Sequence, residues 1–150
     1  MKPDSNNLKG MKVLLVDDVP FNIEVLYQTL KSKEYQISIA NNGLDALKLI
    51  PKLQPDLILL DIMMPGIDGI ETCRRLKADE STKDIPIIFV TAKTDTESML
   101  ERFKVGGVDY ITKPFQLEVV LARVETHLTL AKALKDKDNL ISELKGLNSS

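Results

Sequence analysis

Apolar residues fall along the chain in two kinds of block. Compact runs occur in "MKVLLV" (11–16), "DLILL" (56–60) and "IPIIFV" (85–90), with a shorter, more polar "VDYIT" at 108–112. Rich in Val, Ile and Leu and lacking polar alternation, such runs suit strands covered on both faces. "YQISIA" (35–40) alternates, as a strand with one wetter face does.

The second kind spaces its apolar residues by three and four. Pro20 suits a first helical turn, and Phe21, Ile23, Val25, Leu26 and Leu30 carry that helix to about residue 32. "NNG" (41–43) turns the chain into a helix through Ile50, and Asp68-Gly69 opens "GIETCRRLKAD" with Ile70, Cys73 and Leu76 on one side. "DTESMLERFKVGG" (95–107) reads as a helix stopped by two glycines, and a last helix begins near Phe115. Strand and helix alternate five times at crossover spacing. This predicts an α/β fold, a five-stranded parallel sheet with helices on both faces.

The last helical pattern outruns the domain. Leu117, Leu121, Val124, Leu128 and Ala131 keep a four-three spacing, which then shifts phase to Leu134, Ile141 and Leu144 across the polar "KDKDN" and continues to about Lys145. Two extra heptads support a coiled coil only marginally. The chain thus divides into a flexible leader (1–10), one domain (11–128), and a helical linker or coiled-coil segment (129–150) frayed at its end.

Composition narrows the class. At 43% hydrophobic and 28% charged, the 150 residues read as a soluble globular chain with no bilayer-length apolar stretch. The polar N-terminus and lone Cys73 suit a cytoplasmic setting. A net charge of −2 argues against a direct nucleic-acid footprint.

Chemistry enters at the strand ends. In open parallel sheets the binding crevice lies outside the carboxyl ends of the strands. The first strand ends in Asp17-Asp18, the third in Asp61, the fourth in Thr91 and the fifth in Lys113; only the second, ending in Ala40, brings nothing reactive. Like charges about 4 Å apart repel by about 4 kcal/mol at an effective dielectric near 20. Three ionised acids so placed should hold a proton or a cation, and oxygen ligands in small number suit Mg²⁺. With one Mg²⁺ and one lysine the formal charges cancel, and a phosphoryl group can approach. Attack by the Asp61 carboxylate on phosphorus would give an aspartyl phosphate.

"LLVDDVPFN", "PDLILLDIMMPGIDG", "IPIIFVTA" and "DYITKPF" together strongly resemble the receiver domain of two-component response regulators, over roughly residues 11–128. The resemblance implies a flavodoxin-like sheet of order 2-1-3-4-5. It also implies Asp61 as phosphoacceptor, and Asp18 as direct and Asp17 as largely water-mediated Mg²⁺ ligand. Met63 would lend its backbone carbonyl to the metal. Thr91, Lys113 and the Ala92 N–H would contact the phosphoryl group, and the Lys113-Pro114 bond would be cis. Thr91 and Tyr110 would form the switch that reshapes the face made by the fourth helix, fifth strand and last helix. Implied partners are a histidine kinase or phosphotransfer protein and an output domain in cis or a separate target; the apolar spacing of the C-terminal helix adds a second copy as a hypothesis. Met63 and Lys93, at positions variable in the family, would crowd attacking water and slow hydrolysis.

Blander readings stand beside these. Asp18 or Thr91 could cap helices, Lys113 could be a solvated loop charge, and Tyr110 and Met64 could be core. His127 is expected to be solvated or in contact with the tail. A Mg²⁺-dependent phosphohydrolase would want an acid where Met63 stands, and a flavin-binding protein a Ser/Thr/Gly-rich loop where Asp17-Asp18 stands. A degenerate receiver used only for binding would not need the full set of acids, Thr91 and Lys113.

Overall fold

A computed structural model describes residues 8–92 and 104–148. Five strands, β1 (Lys12–Val16), β2 (Gln36–Ala40), β3 (Leu57–Asp61), β4 (Ile87–Thr91) and β5 (Asp109–Thr112), form one sheet of order β2-β1-β3-β4-β5. Every pairing is parallel. The described helices are α1 (Pro20–Lys31), α2 (Gly43–Leu53), α3 (Gly69–Lys77) and α4 (Leu117–Asn148). Most of the helix expected over 95–107 lies outside the described residues.

The continuous apolar runs divide between two cores by strand alternation. Val13, Leu15, Leu57, Leu59, Ile88 and Val90 face one cluster with Leu26 and Leu30 of α1 and Val120, Val124 and Leu128 of α4. Leu14, Val16, Ile58, Leu60, Ile87 and Phe89 face the other, with Ile50 of α2 and Cys73 and Leu76 of α3. Each fully buried aliphatic side chain contributes about 1.5–3 kcal/mol. A strand whose alternate residues both meet a core is thereby fixed in register.

Local chemistry sets the helix ends. Pro20 occupies the first turn of α1, and the Val19 N–H donates to Asp17 Oδ1 at 2.9 Å. Asn42 caps α2 by accepting from the Asp45 N–H at 2.8 Å, and Asp68 caps α3 by accepting from the Glu71 N–H at 2.8 Å. The expected end of α2 at Ile50 is corrected: the helix runs through Pro51 to Leu53. Proline removes one backbone donor near the end of the helix. Leu53 packs on the core beyond it, and Gln54, at φ 49°, closes the helix with its N–H on the Ile50 carbonyl.

Helix α4 begins at Leu117, two residues after Phe115, and continues to Asn148. Its buried positions are Val120, Val124 and Leu128; from Ala133 to Gly146 every residue is exposed. Leu130, Leu134, Leu140, Ile141 and Leu144 are among the large apolar side chains in solvent. An ion pair ties this extension back to the domain, with Lys135 Nζ at 3.4 Å from Asp56 Oδ1.

Candidate functional site

Parallel pairing aligns the carboxyl ends of β1, β3, β4 and β5 along one edge, with Val16 opposite Leu60, Asp61 opposite Val90 and Thr91 opposite Thr112. Asp17 follows β1 directly, and its N–H donates to the Ala40 carbonyl at 3.2 Å. Asp61 is the last residue of β3, and a close turn behind it carries the chain into α3. There the Gly69 N–H donates to the Ile62 carbonyl at 2.9 Å, and a Cβ at residue 69 would run into the Asp61 carbonyl oxygen. Glycine lets α3 start against the backbone that presents the acid.

These connections bring Asp17, Asp18 and Asp61 together, with one carboxylate oxygen from each within 4.8 Å of the others. Asp17 and Asp61 are buried, while Asp18 opens to solvent. Lys113 Nζ lies 3.2 Å from Asp61 Oδ1 and 3.7 Å from Asp17 Oδ2. Burial, then the Asp17 charge, push the Asp61 carboxyl above the usual carboxylate range; Lys113 pulls it down less than these raise it, and Asp18 adds to the rise. Asp17 Oδ2 and Asp61 Oδ2 are buried with no hydrogen-bond partner among the described residues. Two buried carboxylate oxygens without a hydrogen bond, beside a third acid, are a donor set suited to a hard divalent cation.

The remaining expected residues lie on β4, on β5 and on the segments that follow β3, β4 and β5. Thr91 ends β4 and is buried, and Ala92 is exposed just beyond it. The Lys113 N–H donates to the Thr91 carbonyl at 2.8 Å, and the Lys113-Pro114 peptide is cis. Met63 is 76% exposed on the β3–α3 loop, and Met64 is buried in the core shared with α2 and α3. Tyr110 is half-buried against that same core. Lys93 lies outside the described residues.

One constellation escaped the sequence reading. Asp109, at the start of β5, accepts from Arg123 Nη1 at 2.9 and 3.1 Å and from the Tyr110 N–H at 2.8 Å. It also lies 3.0 Å from His127 Nε2. His127, expected in solvent or against the tail, instead faces β5. Burial pushes the Asp109 carboxyl up, but the His127 bond, the Tyr110 N–H and Arg123 together hold it below the usual range. The available signal was the i,i+4 spacing of Arg123 and His127, which puts both on one helix face; the acid opposite them is not visible without the fold.

The sequence profile of the response regulator receiver domain matches residues 13–125. A DNA-binding dual master transcriptional regulator, RpaA of Synechocystis sp., is 39% identical over 117 residues, covering 78% of this chain and 48% of that protein. The chain spans about half the length of several curated relatives it matches. Among solved structures, the Vibrio cholerae chemotaxis protein CheY4 superposes with a TM-score of 0.75 at 30% identity, covering 78% of this chain and 98% of that one. The receiver domain of the sensor histidine kinase PA1611 from Pseudomonas aeruginosa has a TM-score of 0.74 at 28% identity, covering 80% and 98%. That structure has a magnesium ion coordinated in its active site cleft.

Proposed function

The chain belongs to the response regulator receiver domain family, and from that membership we propose that Asp61 is the acceptor of its phosphorylation-dependent signalling. The observation that carries this assignment is the convergence of three acids and Lys113 on one strand edge, with Lys113 Nζ 3.2 Å from Asp61 Oδ1. A carboxylate oxygen of Asp61 attacks the phosphorus of a phosphohistidine in a histidine kinase or phosphotransfer protein. The P–N bond breaks, its electron pair goes to the imidazole, and the ring takes up a proton.

Asp17, Asp18, Asp61 and the Met63 carbonyl are the groups that would hold Mg²⁺. When bound, the ion supplies positive charge to the phosphoryl oxygens. Lys113 adds a second positive charge at the acceptor, and the Thr91 hydroxyl and Ala92 N–H donate to the transferred group. Thr91 then draws towards the phosphoryl group and Tyr110 turns inward. Inverting a 1:99 population requires the phosphoryl group to favour the active state by about 5.5 kcal/mol. Several charge-assisted hydrogen bonds are of that order. We assign residues 11–128 to the receiver and 129–150 to a connector that acts on an output domain in cis or a separate partner, in the cytoplasm. Nucleic-acid contact is left to such partners, and the exposed leucines of the connector suit pairing with a second copy.

Incubation with Mg²⁺ and a small acyl phosphate should add one phosphoryl group by intact mass, stable to acid, labile to base and absent in Asp61→Asn. Rapid multiple turnover without an adduct would point to a hydrolase instead. Thr91→Ala should still be phosphorylated but lose any phosphorylation-dependent assembly, read by sedimentation. A monomer with and without the phosphoryl group would defeat the pairing of connectors.

A further inference from the structure

The Asp109 cluster lies apart from the acceptor site, yet it touches the aromatic assigned to the switch. Arg123 Cζ lies over the Tyr110 ring at 5.7 Å from its centroid. The same guanidinium is held by Asp109 through Nη1, and the Asp109 carboxylate is also bonded by His127 and by the Tyr110 N–H. Arg123 and His127 both stand on α4, one turn apart and between the buried residues Val120, Val124 and Leu128.

We infer that Arg123 is a positioning residue for Tyr110, the group through which the ring's orientation and the base of α4 are linked. This rests on the switch role given to Tyr110 above. Asp109 fixes the guanidinium from below, so the ring in its present place has a cation on its face. A ring turned inward leaves that cation without its aromatic partner. The two arrangements therefore differ in a contact that belongs to α4, which is what a population shift requires. Arg123 Nε is buried with no acceptor among the described residues, so the guanidinium is held by one nitrogen and the ring rather than locked by a full set of bonds. Such a group can re-pair when the ring departs. A cation–π contact at a partly exposed site biases a two-state population by roughly two- to fivefold.

The fluorotyrosine-labelled 150-residue chain reports on the ring, with Tyr110 assigned among the three tyrosines by Tyr110→Phe. In Mg²⁺ without phosphodonor, Arg123→Gln should move the Tyr110 resonance from its wild-type position, and Arg123→Lys should move it less. With an acyl phosphate present, wild type should move in the same direction. The populations of wild type and Arg123→Gln should differ about two- to fivefold, while the Asp61 adduct forms equally in both. The donor-induced change in hydrogen exchange along residues 117–131 should shrink in Arg123→Gln. Loss of the neighbouring charge shifts the resonance by itself, so direction decides: an Arg123→Gln shift that does not lie along the donor-induced shift of wild type, or a donor-induced exchange change along residues 117–131 equal in both proteins, overturns the inference even if melting temperature falls. Failure of wild type to form any adduct would overturn the acceptor assignment instead.

Discussion

Asp61 is buried where its charge is unwelcome, and that has a sign that can be measured. Its carboxyl titrates above the usual range because burial and the neighbouring Asp17 outweigh Lys113. Between the ordinary carboxylate value, about 3.9, and the raised one, the folded state binds more protons than the unfolded state. Stability therefore falls as pH rises through that window and stays lower above it. With oxygens within 4.8 Å of each other, the two buried acids Asp17 and Asp61 repel by about 3.5 kcal/mol at an effective dielectric near 20, and the exposed Asp18 adds less. Asp61→Asn should accordingly melt higher than wild type at pH 7 without Mg²⁺, by about 2–4 °C for each kcal/mol relieved. The advantage should shrink as pH falls through that window and be gone below about pH 4; equal melting temperatures at pH 7 would contradict the burial argument. The acid itself was legible in the sequence because it ends an apolar run. Asp109 was not, because its partners Arg123 and His127 come from an element that meets it only in three dimensions.

At the scale of elements, legibility followed hydrophobic period. The runs in β1, β3 and β4 were plain because both of their faces reach a core, so no polar residue interrupts them. The end of α2, expected at Ile50, lies three residues further on, where Leu53 packs on the core beyond Pro51. Helix α4 combines two environments within one element. Leu128 lies in the core, whereas Leu134 stands 62% exposed. Leu128→Ala should cost about 2–5 kcal/mol, and Leu134→Ala at monomer concentrations should stay within about 0.5 kcal/mol. Denaturant melts of the two variants test this, and equal losses would mean that the extension is covered in solution. The change of phase near Ala131 was visible in the sequence, and so was the helix running on through it to about Lys145; α4 extends to Asn148.

For the molecule as a whole, the sheet order decides which chemistry meets. Strands β1 and β3 are neighbours although α1, β2 and α2 separate them in the chain, and this adjacency joins Asp17 and Asp18 to Asp61. The three acids, the hydroxyl and the ammonium were readable one by one, but their separation needed the register. A cation taken up only by the folded chain stabilises it by mass action, about 2.7 kcal/mol at a hundredfold excess over the dissociation constant. Saturating Mg²⁺ should therefore raise the melting temperature of wild type by roughly 5–10 °C. Asp18→Asn should lose most of this rise, and a wild-type melt indifferent to Mg²⁺ would count against the proposed ligand set.

Because α4 is one unbroken helix, what happens at its root is carried outward mechanically. Twenty residues beyond Leu128 span about 30 Å. A tilt of about 5° at Leu128 would sweep the far end through about 2.6 Å, roughly half a helical turn's rise. In the connector role proposed above, the extension would act as a lever arm, so that a rearrangement too small to notice around one ring would displace whatever its far end engages by more than a bond length.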